Sequence, residues 1–599
     1  MDDTDGTDLP SPPPYPAAEA LERHLGHPDD PTVVFTAARS VELDDREEFP
    51  TVLCEQLESW GIQDYYVPAE FGGRLESYED LLQVMRTVAR RDLTVAIGHG
   101  KTYLGGVCVW TSGSPEQAAR LAADIEAGVP VSLGLTERAH GSDLLAGELV
   151  AEPDGSGGYL VTGEKWLINN ATRGSVLSLL TRTGAEGGPR GFSVLLVDKR
   201  RLEPGSFRCL DKIPTHGIRG ADISGIVFDS ARVPGTEVVG GEGGGIETVL
   251  KALQLTRTMC AALSLGAADH ALHIALDFAE QRALYGRHLI ELPKARRSLA
   301  DAAVDALIGE ALALVACRSV HTLTGELSVT SAVTKYLVPT GSEGVIRELT
   351  RLLGARAFLK DVHAHGMFQK VDRDHRIVGL FDGNTLVNLN SLISQFRSLV
   401  RTYRRGTGDT AGAEAAFRLA APLPEFEPGR LSLVARRGSG VIASLPGSVA
   451  LLRAAAAEDP ALKAALNSAE RLLVAGERVH AEMEVHQSTV SDLPVAAFDA
   501  AKQYAWLFAA AACLGVWAQS REAAAESGTA WLWQDGRWLR AALDRLLRRL
   551  GEDGPDDAEA YDDVLEHLRT VRDRGELFSL MPLALARRRS ETGDEGTSC

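Results

Sequence analysis

Val131-Ser132-Leu133-Gly134-Leu135-Thr136-Glu137 is where the chain changes its period. Upstream, apolar residues return every three or four positions. From Val131 they return at every second one, through Leu133 and Leu135, which is the alternation of a strand. Short runs of the same kind follow at Tyr159–Thr162, Ser175–Leu180, Gly191–Val197 and Ile226–Phe228, separated by Gly and Asp clusters. That pattern predicts an antiparallel β domain over residues 131–235. No helical pattern of ten to fifteen residues separates these runs, which argues against a parallel Rossmann sheet.

On either side the helical period rules. Residues 31–130 read as an N-terminal helical domain. In it Pro68-Ala69-Glu70-Phe71-Gly72-Gly73 is a break, and Ser77-Tyr78-Glu79-Asp80 is an N-cap with an acidic first turn. Residues 236–400 read as a second helical domain, with long Ala/Leu/Arg/Glu-rich segments at 250–282, 294–324 and 327–353. Residues 1–30, rich in Asp and Pro, predict a flexible tail. Residues 401–440 predict a linker, and 441–590 an extra helical domain with a Gly/Asp/Pro break at 551–557; Gly593–Gly596 predict a frayed tail. The expected class is α+β, mainly α.

Composition narrows the function classes. The chain has 599 residues, is 45% hydrophobic and carries a net charge of -20. A balance this acidic argues against a nucleic-acid binder and shows no attraction to anionic lipid. Seven dispersed cysteines with no CxxC spacing suit reduced thiols in a cytoplasmic protein. The acidic start lacks the basic and apolar run of a secretory signal. Tyr504–Trp517, the longest uninterrupted apolar stretch, is too short to span a bilayer. No His or Cys spacing suits a metal, and no GxSxG elbow is present. The run Gly240–Gly245 fits neither GxGxxG nor a phosphate loop and reads as a strand-to-helix connector.

Three segments remain. Thr136-Glu137 runs into His140-Gly141-Ser142-Asp143, which by composition is a loop with an Asx turn. Arg282-Ala283-Leu284-Tyr285-Gly286-Arg287 reads as a helix C-terminus with Gly286 as its C′ residue. Phe381-Asp382-Gly383 is an ordinary turn composition.

Taken in order with Gly163-Glu164-Lys165-Trp166 and Arg373-Asp374, these segments resemble the acyl-CoA dehydrogenase superfamily over residues 30–400. The resemblance implies an N-terminal helical domain, a middle β domain and a C-terminal four-helix bundle, with FAD between the β domain and the helices. It implies that Leu135, Thr136, Trp166 and Asn169 meet the isoalloxazine and Ser142 the pyrophosphate. Arg282 would reach the cofactor across the interface of a homo-oligomer, Tyr285 would pack near its adenosine side, Arg351 would add charge for the pyrophosphate, and Gly354 and Asn384 would also bind the cofactor. Arg257 and Gly383 would line the substrate cleft, and Asp382 would be the catalytic base.

The departures are specific. The base is usually glutamate, and here it is Asp382. Asn169 stands where the family has Thr, Leu167 where it has Trp, and Arg351 where it has Gln. The implied activity is FAD-dependent oxidation of an acyl thioester, carried by CoA or a carrier protein, to the enoyl product. Electron-transfer flavoprotein or O2 would be the acceptor. Aspartate shortens the reach by about one methylene, and misplacement by about 1 Å costs on the order of 10² in rate. An alternative is therefore an oxidase or monooxygenase on the same fold, akin to nitroalkane oxidase or natural-product tailoring enzymes. A third reading is a flavin-binding scaffold that has lost catalysis.

Overall fold

The computed structural model describes residues 14–184, 187–419, 421–486, 493–525, 530–552 and 557–588. Six helices come first: α1 (Pro16–Leu25), α2 (Ala37–Asp45), α3 (Thr51–Trp60), α4 (Tyr78–Arg91), α5 (Leu93–Ser112) and α6 (Pro115–Glu126). Their ends are set locally. Ser77 accepts from the Asp80 amide at the start of α4, and Asp92 accepts from Thr94 and Val95 at the start of α5. Ser114 and Gln117 form a reciprocal capping box on α6. The expected tail is a correction from Tyr15 onward. Helix α1 buries Ala18, Leu21 and Leu25, and its Glu22 pairs with Arg90 and Arg91 of α4. Its preceding residues 1–13 lie outside the described ones.

Eight strands follow: β1 (Val131–Gly134), β2 (Val150–Pro153), β3 (Gly158–Asn169), β4 (Val176–Arg182), β5 (Phe192–Asp198), β6 (Phe207–Leu210), β7 (Ile223–Pro234) and β8 (Val238–Val239). The sheet order is β6-β7-β3-β2-β4-β5-β8, with β1 on β4. The expectation of a purely antiparallel domain is corrected at one place: β1 and β2 both pair with β4 in parallel. The chain reaches β4 from β1 by a long excursion through β2 and β3, which leaves room for the crossover that a parallel neighbour needs. Strands β4 and β5 read as unbroken apolar runs because both faces are covered. Val176, Leu180, Val194 and Leu196 join the main helical core, while Leu177, Leu179, Leu195 and Val197 join a second, smaller core with Val161, Ile226 and Phe228.

Three long helices carry the rest of the family-like region: α7 (Gly245–Gln281), α8 (Pro293–Thr322) and α9 (Leu327–Leu353). They are followed by α10 (Met367–His375), α11 (Thr385–Ile393) and α12 (Phe396–Arg404). The expected fourth long helix is thus two nine-residue pieces, of which α11 packs on α9 and α12 turns toward the next region. At 1.5 Å per residue α7 is about 55 Å long. It is long and apolar enough to cross a bilayer, longer than the stretch 504–517, but 89% of its apolar window is buried in protein. The glycine run 240–245 is the connector from β8 to α7, with Gly244 as the N-cap residue.

Residues 401–440 are not a free linker. They contain α13 (Thr410–Phe417), whose Ala413, Ala416 and Phe417 are fully buried. The extension holds α14 (Gly440–Ala443), α15 (Leu445–Glu458), α16 (Lys463–Val485), α17 (Val495–Ala525), α18 (Ala530–Trp533), α19 (Arg537–Arg549) and α20 (Ala558–Asp573). The window Gly440–Glu458 is also long and apolar enough to span, and half of it is buried. Arg545 clamps Asp305 of α8 with two bonds of 2.6 and 2.7 Å. The helical reading to 590 stops early. Residues 576–588 form a non-helical strap that doubles back through an antiparallel bridge between Glu576 and Ala584, and in it Leu580 N–H donates to Glu310 (3.0 Å) and Ala584 N–H to Glu19 (3.0 Å). The expected break at 551–557 and the tail at 593–596 fall largely or wholly outside the described residues. Of the cysteines, the six described are free thiols, and all but Cys209 are buried.

Candidate functional site

The acid turn follows α10. Asp382 has φ +54° and Gly383 φ +95°, two consecutive left-handed residues, a conformation that Asp and Gly tolerate best. Three side chains hold it. Arg257 of α7 donates Nε–H to the Asp382 carbonyl (2.8 Å), Asn388 donates to the Gly383 carbonyl (2.9 Å), and Asn384 caps α11 by accepting from Val387 (2.9 Å). A Cβ on residue 383 would stand 2.8 Å from Arg257 Nη2, so the guanidinium lies flat where only glycine leaves space. The Asn384 side-chain oxygen thereby serves the helix cap.

The Asp382 carboxylate points inward. Its Oδ2 accepts from Lys101 Nζ at 3.1 Å, with both side chains about one tenth exposed, and lies 3.7 Å from the Cys260 thiol. Burial pushes the Cys260 thiol up to about 12, so it is neutral. The Phe381 ring lies beneath two ammonium groups, Lys101 at 3.8 Å and Lys335 at 5.4 Å from its centroid. Beside Asp382 opens an apolar pocket of about 50 Å³ between α4, α5 and α7, walled by Leu81, Met85, Ile97, Met259 and Leu263.

The β domain supplies the facing wall. Trp166 N–H donates to the Thr136 carbonyl (2.9 Å), fastening the loop after β1 to β3. The buried Glu137 fixes the same loop. It accepts from Lys165 (2.7 Å) and from the amides of Glu148 (2.7 Å) and Leu149 (3.1 Å). Burial opposes its ionisation, yet these donors hold the carboxyl below the ordinary range. At the end of β3 Asn169 donates to Ile97 O (3.3 Å), and Asn170 to Gly98 O (2.7 Å), both on α5. A bulge between Trp166 and Ile168 turns Leu167 to φ +58° and leaves it 42% exposed, whereas the Trp166 ring is covered by the Arg138 guanidinium at 4.9 Å. Ser142 sits exposed in the loop after Thr136.

The residues present fit a planar cofactor with a polar edge. Asn169 Oδ1 is buried with no donor among the described residues, and an orphaned acceptor of this kind calls for a partner. It stands on the wall that meets Ile97, itself a lining residue of the pocket beside Asp382.

The remaining expected residues lie elsewhere. Arg282 is 25 positions beyond Arg257, about 37 Å along the α7 axis. The segment after it is not a helix terminus with Gly286 at C′. It is a hairpin, β9 (Ala283–Leu284) and β10 (Arg287–His288), turned by Tyr285 at φ +54° and Gly286 at φ +75°, the backbone of a type I′ turn. Tyr285 is 93% exposed. Arg351 lies exposed at the end of α9, paired with Glu348 at 2.7 Å, and Gly354 ends that helix at φ +60°. Arg356 over the Phe278 ring (5.6 Å) brings the ends of α7 and α9 together. Arg282, Tyr285, Arg351 and Gly354 therefore mark one far end of the helices, apart from Asp382. Arg373 and Asp374 are joints rather than site residues. Arg373 pairs with Asp44 (2.6 Å), and Asp374 accepts from Lys370 (2.7 Å) and Ile218 N–H (2.5 Å), tying α2, α10 and the β domain.

Reading the sequence missed Lys101, Cys260 and Asn388. Lys101 had a signal: it is the one Lys or Arg in the twenty residues of α5, which hold no Asp or Glu.

A helical layer, a β domain and long helices converging on one buried acid define a flavoenzyme-like oxidoreductase architecture. Three family models match in the same order: the acyl-CoA dehydrogenase N-terminal domain at 35–128, middle domain at 132–231 and C-terminal domain at 243–396. Together they span more than half of the chain, which belongs to the acyl-CoA dehydrogenase family and is an oxidoreductase of CH–CH groups. A probable acyl-CoA dehydrogenase of Mycobacterium leprae is 25% identical over 352 residues, covering 59% of this chain and 88% of its own. A (2S)-methylsuccinyl-CoA dehydrogenase of Cereibacter sphaeroides is 30% identical over 280 residues, 44% of this chain and 50% of its own. Among solved structures, an acyl-CoA dehydrogenase complexed with FAD from Bacillus anthracis superposes over 93% of this chain and 94% of its own, with TM-score 0.66 and 16% identity. That likeness shows the shared fold, extension included.

Proposed function

We propose that the chain binds FAD between the Thr136–Asn169 wall and the long helices, and dehydrogenates an acyl thioester with Asp382 as base. The observation that carries this reading is the inward Asp382 carboxylate, held beside an apolar pocket and near an unpartnered Asn169 oxygen. FAD, when bound, would accept the β-hydrogen as hydride. This chain's residues do the rest. Lys101 and Cys260 occupy Oδ2, so Oδ1 is the oxygen left to take the α-proton. The Asp382 amide N–H has no acceptor among the described residues and would donate to the thioester carbonyl, acidifying the α-proton. Arg257 keeps the turn in register through the Asp382 carbonyl. The far-end residues Arg282, Tyr285, Arg351 and Gly354 would serve the cofactor of a second copy. For the test, Asp382→Asn should retain bound FAD and lose thioester-driven flavin bleaching by about 10³-fold; bleaching at the original rate would remove Asp382 from the mechanism.

A further inference from the structure

Asp382 is surrounded by more positive charge than it can balance, and one of the cations, Lys101, shares the wall of the apolar pocket with it. Lys101 and Arg257 both act on residue 382, and Lys335 stands behind Phe381 with its Nζ on the Val378 carbonyl (2.6 Å). Asp382 is the carboxylate that acts on both Arg257 and Lys335. The neighbouring Cys260 thiol is neutral. One anion therefore faces three cationic side chains, each at least nine-tenths buried. The two terminal nitrogens of Arg257 have no protein acceptor among the described residues. Buried charge without a counter-charge is costly, so such a site recruits an anion.

Position decides which anion. Lys101 is on α5, in the wall of the apolar pocket and itself about one tenth exposed, not at an exposed rim where thioester-carrier phosphates would lie. The pocket, at about 50 Å³, has space for only a few water-sized groups. A long hydrocarbon chain has no room there, and a methyl end would lie against an ammonium.

Resting on the dehydrogenase reading, we infer that the acyl group is short and ends in a second carboxylate, which Lys101 receives within a few carbons of the thioester. Lys101 is then a specificity-determining residue. It braces the base in the free protein and turns part of its hydrogen bonding to the substrate when the pocket fills.

The test uses the full-length, FAD-loaded protein with matched pairs of CoA thioesters: succinyl against butyryl, and glutaryl against pentanoyl. Calorimetric binding and anaerobic flavin bleaching are read separately. The wild type should bind the carboxylate-ended member of a pair at least tenfold more tightly. Lys101→Met should reduce that ratio to about one, and Lys101→Arg should keep most of it. Equal binding of both members by the wild type, or a ratio unmoved by Lys101→Met in a variant with unchanged melting temperature, overturns the inference. Selective binding through Lys101 without bleaching would sustain it while removing the dehydrogenase reading. Bleaching by both members without selectivity would do the reverse.

Discussion

The two ends of α7 are built in opposite ways. Around Arg257 the helix is buried on every side. The guanidinium is packed on Gly383, and the acid turn is fixed by bonds from Arg257, Asn388 and Asn384. About 37 Å further along, Arg282 leads into a hairpin whose Tyr285 is 93% exposed, next to a loop with Phe358 at 86%. Exposed aromatics of this size in one region are unusual for a surface that meets only water. The near end gathers its acid and the side chains that hold it within one chain; the far end presents Tyr285 and Arg351 at the surface. In the proposed reading, one supplies the chemistry and the other the grip on a neighbouring copy's cofactor.

That contrast can be broken from either end. Arg257→Met should lower the rate of flavin bleaching by about 10²-fold through a displaced Asp382, with oligomeric state and FAD content unchanged. A loss of FAD instead would show that the near end also grips the cofactor. Arg282→Met should weaken FAD retention by about tenfold in equilibrium dialysis, and should leave the bleaching rate of the loaded fraction intact. Its melting temperature should barely move, because the side chain is partly exposed. The smallest effect concerns acid. His375 of α10 is buried against Ser264 of α7 (3.1 Å), and burial, helped by Lys335, holds it down at about 4. The folded state thus keeps it neutral. Its contribution to stability is present above about 6.5 and is lost as pH falls toward 4. At pH 5.5 the loss is about 1 kcal/mol. In urea titrations His375→Asn should be less sensitive than the wild type to a step from pH 7.5 to 5.5; identical sensitivity would exclude this residue as an acid-labile point of the near end.

Much of this was legible in the chain, for reasons that differ by residue. The switch from helical to alternating period at Val131 marks the β domain because both faces of β4 and β5 are covered, and Ser77 marks α4 through its own hydroxyl. The acid turn was legible only through resemblance, since Phe381-Asp382-Gly383 has no periodicity of its own. What stayed hidden depends on contacts distant in sequence. Lys101 meets Asp382 across 281 positions, and Asn388 acts on backbone carbonyls that no pattern reports. Tyr285-Gly286 reads as a helix end because a left-handed glycine serves both a C′ position and a hairpin turn. Residues 401–440 read as a linker because Gly, Pro and Thr are frequent there, yet Phe417 is fully buried. The tail reading failed at α1, whose amphipathic stripe is only ten residues long.

The strap at 576–588 bears on how the protein is made. Leu580 gives its amide to Glu310, and Ala584 gives its amide to Glu19, 565 positions earlier. A ribosome delivers these donors long after the acids they serve. Glu310 has Arg86 (2.8 Å) and Glu19 has Arg23 (3.6 Å) before then, so the strap's amides add the last donors to acids already paired.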